Sequence, residues 1–186
     1  MSDKRKFPYC SALAVAEELQ AMLAPACHRI AIAGSLRRLK PEVGDIELLF
    51  VPRHSERPDG LFDTKTVDVC GEVVENLVRQ GVLAMRPNVN GSFTWGERNK
   101  LAVHVPTGIP VDLFGTSEAN WWVSLVIRTG SKETNLALTT GANKQNASLM
   151  AYGCGVKWSD GSVTPATSEQ HVFEMCRVPY KEPPQR

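Results

Sequence analysis

The chain has no run of about 18 consecutive apolar residues, so a membrane-spanning helix is not expected. Nor are the opening residues, Met1 to Lys6, followed by the apolar stretch of a secretory signal. Cysteine is used without pattern: Cys10, Cys27, Cys70, Cys154 and Cys176 are odd in number, and none is paired as C-x-x-C. That argues against both a zinc site and a disulfide framework, and it suits a reducing cytoplasm. His28, His54, His104 and His171 show no ligand spacing. A formal charge of +1 supplies no global field to draw in nucleic acid. Internal repeats and low-complexity tracts are missing too. What these absences leave is a soluble, unexported monomer of the cytoplasm (the host cytoplasm, if the gene is viral).

At 186 residues and 42% hydrophobic, the chain can bury one core and a small second lobe. Its charge is unevenly spread. Residues 29–40 are basic and acid-free, and residues 134–159 carry Lys144 and Lys157 with no acid. Local basic patches of this kind are adequate for phosphate contacts whatever the total charge.

Periodicity places the elements. Residues 11–24 set Val15, Leu19, Met22 and Leu23 on one helical face, with Pro25 ending the helix. Residues 29–33 alternate like a short strand, and Gly34-Ser35 opens a helical turn that Pro41 and Gly44 break. A strand follows over 45–51, then a polar loop containing Pro52, Pro58 and Gly60. Helical spacing returns over 66–80, stopped by Gly81, with strands expected at 82–85 and 109–114 and a hairpin formed by 93–95 and 100–105. Ser117 is placed to cap a helix through Trp121 and Val126, and 132–150 reads as a helix interrupted at Gly141. A short helical stretch over 168–176 closes the pattern, and the composition changes near Thr129-Gly130.

The most telling segment is Gly34-Ser35-Leu36-Arg37-Arg38, followed after a short spacer by Gly44-Asp45-Ile46-Glu47-Leu48-Leu49-Phe50. In a strand, side chains at i and i+2 leave the same face. Asp45 and Glu47 then point together, while Ile46, Leu48 and Phe50 face a core. Like charges side by side on an apolar strand repel and are costly to desolvate unless a cation neutralises them. Mg²⁺ is the simplest such cation, because it takes oxygen ligands and bridges carboxylates to phosphates. Asp112, between Val111 and Leu113 on another apolar strand, is the candidate third acid. Three carboxylates can hold two Mg²⁺ ions about 4 Å apart. Ser35, at a helix start, and Arg38 are placed to hold phosphate oxygens. The structural alternatives are that the acids line an exposed strand face, that Arg37 is structural or solvated, and that Trp95, Trp121, Trp122 and Trp158 only pack.

These residues resemble the family X DNA polymerases. Gly34-Ser35-x-Arg37-Arg38, Gly44-Asp45-x-Glu47, Val111-Asp112-Leu113 and Thr129-Gly130-Ser131-Lys132-x-x-Asn135 stand in that family's order and approximate spacing. The closing segment, with Glu169, Phe173, Val178-Pro179-Tyr180 and Glu182-Pro183, is similar to the end of its thumb. The resemblance covers about residue 30 to the C-terminus. It implies an α+β chain: a nucleotidyltransferase palm with a mixed β-sheet and flanking helices over 1–128, including one N-terminal helix, then a small thumb lobe over 129–186. It implies that Asp45, Glu47 and Asp112 are catalytic and hold two Mg²⁺ ions, with Mn²⁺ able to substitute. Gly34, Ser35, Arg38 and Gly44 would hold the triphosphate, Thr129 and Gly130 would line the sugar pocket, and Asn135 would touch the incoming base. Arg128, Lys132 and Lys144 are expected to face DNA. The implied activity is template-directed DNA synthesis from dNTP on gapped or primer-template duplex, filling short gaps in DNA repair.

Departures from the family pattern carry expectations of their own. Glu47 stands where Asp is usual, so activity with adjusted geometry is expected. Ile127-Arg128 replaces an aromatic pair, which weakens discrimination against the ribose 2′-OH. Thr139 falls where the family has a template-binding arginine, so weak base selectivity is expected. About one helix precedes the first motif, so no deoxyribose-phosphate lyase activity is expected; the chain resembles the reduced family X polymerases of some viruses. Two alternatives share the same motifs: a template-independent nucleotidyltransferase acting on RNA, protein or a small molecule, and a catalytically inactive DNA-binding relative.

Overall fold

A computed structural model describes residues 5–60 and 63–186. In chain order the elements are β1 (Phe7–Pro8), α1 (Tyr9–Leu23), β2 (Cys27–Ile32), α2 (Gly34–Arg37), β3 (Glu42–Val43), β4 (Ile46–Pro52), β5 (His54–Asp59) and β6 (Asp63–Asp68). There follow α3 (Val69–Arg79), β7 (Leu83–Met85), β8 (Asn99–His104), β9 (Ile109–Gly115), α4 (Trp121–Thr129) and α5 (Lys132–Asn143). The chain closes with β10 (Ser148–Leu149), β11 (Gly155–Lys157), β12 (Val163–Pro165) and α6 (Glu169–Met175). The architecture is α+β.

Five strands form one mixed sheet in the order β2-β4-β9-β8-β7. β4 and β9 run parallel and the other pairs antiparallel. The alternation of β4 divides its residues between two cores. Ile46, Leu48 and Phe50 pack with Leu19 and Leu23 of α1 and Val74 and Leu77 of α3. On the opposite face, Leu49 and Val51 pack with Phe114, Trp121 and Leu125 under α4. A third cluster, built on Val123, Val126, Leu138, Val156, Val172 and Phe173, holds the C-terminal lobe together. Helix α4 thus has residues in both the sheet's second core and the C-terminal core.

Several elements differ from their sequence reading. In α1 the buried stripe is Ala12, Val15, Ala16, Leu19 and Leu23, whereas Met22 is 38% exposed. The expected polar loop after Pro52 contains the hairpin β5–β6, paired from His54↔Asp68 to Asp59↔Asp63, with Leu61 and Phe62 outside the described residues. Because β6 takes residues up to Asp68, α3 starts at Val69, and the Asp68 carboxylate caps it by accepting from the Gly71 N–H. Phe93 and Trp95 make isolated bridges rather than a strand. Ser117 does not cap α4, which begins after Asn120. Helix α5 is capped by Ser131 and ends at Asn143, short of Met150. Gly141 continues that helix instead of breaking it. A Cβ there would lie 2.1 Å from the Cys176 carbonyl oxygen, so glycine permits the close approach to the end of α6. The sheet β10-β11-β12 was not foreseen, since strands of two or three residues are too short to show a period.

Candidate nucleotidyl-transfer site

Register brings the acids together. Glu47 of β4 and Asp112 of β9 are direct partners in the parallel pair, so both side chains leave the same face of the sheet. Asp45 lies just before β4 and is an electrostatic neighbour of Glu47. Burial, first, then the charges of Asp45 and Asp112 push the Glu47 carboxyl up to about 8, against the pull of Arg128 and Arg38. Asp112 is engaged by Arg86, whose Nη2 donates to its Oδ1. Among the described residues, no three His, Cys, Asp or Glu side chains stand in an arrangement that could hold a metal ion.

Arg86 is a residue that the sequence reading missed. Its main-chain N–H bonds the Leu101 carbonyl, and Leu101 is the cross-strand partner of Asp112. Its Nε also donates to the Ala102 carbonyl at 3.0 Å. Only the pairing of β7, β8 and β9 reveals this line across the sheet. Lys6 was missed as well: pairing of β1 with β3 brings its Nζ within 3.7 Å of where a Gly44 Cβ would stand.

The Gly34 turn sits directly beside the acids. The Ala33 N–H donates to the Glu47 carbonyl at 2.8 Å, and Gly34 then turns into α2 with φ +61°. Ser35 Oγ, Arg38 Nε and Asn135 Oδ1 are buried polar atoms without a hydrogen-bond partner among the described residues. All three belong to residues expected to hold the nucleotide. Buried polar atoms are normally satisfied, so each of these has bonding capacity to offer a ligand, as do Ser55 Oγ, Asn99 Oδ1 and Arg186 Nη1, on which no nucleotide expectation falls. A second Arg38 nitrogen, Nη1, donates to the Thr129 carbonyl, and Asn135 Nδ2 donates to the Ile127 carbonyl at 2.9 Å. Thr129 is fully buried, its hydroxyl accepting from Arg37 at 2.7 Å, while Gly130 is buried beside Arg38.

Arg37 is structural. It grips Glu169 of α6 with two nitrogens at 2.5 and 3.0 Å, and Arg186 approaches the same carboxylate at 3.2 Å. This charged triad ties α2 to the C-terminal lobe.

The three basic residues expected at DNA have different surroundings. Arg128 sets its guanidinium carbon over the Phe114 ring, 3.6 Å from the centroid, and both line a cavity of about 320 Å³ with Leu49, Asn99, Thr116 and Ser124. Lys132 opens α5 and Lys144 follows its last residue, a separation of about 18 Å at 1.5 Å per residue. Both lysines are exposed, and Lys144 borders a groove with Leu136 and Arg177.

No curated protein matches the chain. No described helix is long and apolar enough to cross a membrane. Residues 124–186, about a third of the chain, match the family model described as the DNA polymerase beta thumb, so the C-terminal lobe is similar to the thumb of a DNA-binding polymerase.

Proposed function

We propose that the protein is a template-directed DNA polymerase of the family X kind, adding dNMP from dNTP to a primer 3′-OH and filling short gaps in DNA repair. Residues 1–128 form its palm and 129–186 its thumb. The observation that carries this reading is the facing pair Glu47 and Asp112, with Asp45 nearby, in a chain whose last third matches a polymerase thumb.

Two Mg²⁺ ions fit the donor set chemically. Asp45, Glu47 and Asp112 are oxygen ligands, and the crowding felt by Glu47 is what divalent cations relieve. Such ions lower the pKa of an attacking hydroxyl and neutralise a triphosphate when bound. The chain's own residues do the rest. Ser35 Oγ and Arg38 Nε, now without partners, would donate to phosphate oxygens, with Gly34 and Gly44 letting the main chain come close. Asn135 offers its free amide oxygen to the incoming nucleotide beside the Thr129-Gly130 turn. Arg86 holds Asp112 in place by donating from Nη2 to its Oδ1. The hydroxyl attacks the α-phosphate and pyrophosphate leaves.

Gapped duplex, dNTP and Mg²⁺ test the proposal. Primer extension is expected, and Asp112→Asn should abolish it while the fold persists. Failure to extend by protein that binds dNTP would overturn it. A second reading, an inactive DNA-binding relative, draws on the Arg86 contact that already engages Asp112. Titration calorimetry showing DNA binding but no Mg²⁺-nucleotide binding would favour it.

A further inference from the structure

Away from the acids, on the opposite side of the sheet, two thiols meet. Cys27 is the first residue of β2 and Cys70 lies in the first turn of α3, yet their sulfurs are 3.6 Å apart. Both are buried, at 4% and 0% exposure. Main-chain bonds from Arg53 hold them as neighbours: its N–H donates to the Ala26 carbonyl and its carbonyl accepts from Val69. Its Nε further donates to the Cys27 carbonyl at 2.9 Å. A disulfide needs its sulfurs at about 2.05 Å. The pairing of β2 with β4 is irregular between Cys27 and Arg29, so the regular ladder is interrupted next to Cys27, where the remaining approach has to occur.

We propose that Cys27 and Cys70 form a peroxide-sensitive dithiol, closing to an intrachain disulfide that staples β2 to α3. The pair is asymmetric in the way such a step requires. The thiol–thiol hydrogen bond with Cys70, helped by the Arg53 guanidinium, holds Cys27 below the ordinary thiol range despite burial and Asp68. Cys70 is pushed up. Cys27 thiolate attacks one oxygen of hydrogen peroxide, giving a sulfenic acid and hydroxide. The Cys70 sulfur then attacks the Cys27 sulfur and loses its proton, and water leaves. In sum, two thiols are oxidised and one peroxide is reduced to two waters. A pair this buried requires an oxidant as small and uncharged as hydrogen peroxide. Exposed Cys10 has no such neighbour among the described residues, and Cys176 is buried with its thiol raised to about 11.

The test uses the full chain, exposed to hydrogen peroxide, then denatured and alkylated. Peptide mapping should recover a Cys27–Cys70 linked peptide with the loss of two hydrogens, and a reductant should restore both free thiols. The urea midpoint should rise on oxidation and return on reduction, with no rise in Cys70→Ser. The mapping needs no variant, so a folding failure of the substituted chain leaves it intact. Recovery of both thiols as alkylated peptides after peroxide, or links confined to Cys10 or Cys154, would overturn the proposal.

Discussion

Gly34 and Glu47 compete for one space: a Cβ on Gly34 would lie 1.8 Å from Oε2 of Glu47, with the backbone already at φ +61°. The two conditions act on different properties. The left-handed backbone costs a non-glycine residue about 1–2 kcal/mol, which Gly34→Ala should show as a lower urea midpoint. The overlap is with the far end of a flexible side chain, so the fold should survive while the carboxylate moves. Nucleotide addition should therefore fall far more than stability does. Unchanged extension in a folded Gly34→Ala protein would disconnect this turn from the chemistry.

Glu47 also sets a pH dependence. Its folded pKa of about 8 lies above the ordinary carboxyl value of 4.5, so over that interval the folded chain holds a proton that the unfolded chain has released. Stability must then fall as pH rises from about 4.5 to about 8, and level off above. The size should be on the order of 2–3 kcal/mol, reduced from the full pKa gap because the side chain is only partly shielded. Urea unfolding at several pH values in chelator should show this slope, and Glu47→Gln should remove it. Mg²⁺ should flatten it by favouring the ionised form. A slope that persists in Glu47→Gln belongs to another group.

The Arg37–Glu169–Arg186 triad gives a stability prediction. Side-chain exposures are 25%, 9% and 0%, so Glu169 is the counter-ion of an arginine with no access to water. Glu169→Ala strands Arg186, and a buried charge left unpaired costs about 3–5 kcal/mol. Arg37→Ala should cost less, about 1–2 kcal/mol, because Arg186 still balances the carboxylate and Arg37 is partly solvated. A double-mutant cycle on Arg37 and Glu169 should show coupling. A loss below about 1 kcal/mol for Glu169→Ala would mean that the triad does not hold the lobes.

Much of this was legible from short motifs and much was not. Glu47 and the alternation of β4 follow from a period of two, and that same period delivers Ile46, Leu48 and Phe50 to a core. Arg37 was readable as structural, but its grip on Glu169 spans 132 positions and depends on how the lobes pack. Arg86 reaches Asp112 only because three strands are in register, which no local pattern encodes. The β5–β6 hairpin was hidden by its polar, exposed residues, which carry no hydrophobic alternation. Gly141 misled because a glycine in a helix pattern reads as a break, whereas here it admits a neighbouring carbonyl.

Sugar selection is the last consequence, and it rests on the polymerase reading. At Ile127 and Arg128 the resemblance calls for two aromatic rings, and neither residue supplies a flat wall. Ile127 packs against the C-terminal core and its carbonyl is bound by Asn135. Arg128 spreads over Phe114 and interacts with the Glu47 carboxyl rather than screening a sugar. A 2′-OH then meets little obstruction. Ribonucleotide insertion should come within about tenfold of deoxyribonucleotide insertion, a difference near 1.4 kcal/mol. Single-turnover insertion opposite each template base, with dNTP and rNTP in parallel, measures it directly. Substituting Ile127→Tyr should widen the gap. A preference for dNTP of about a thousandfold in the unaltered chain, some 4 kcal/mol, would show that another part of the site reads the sugar.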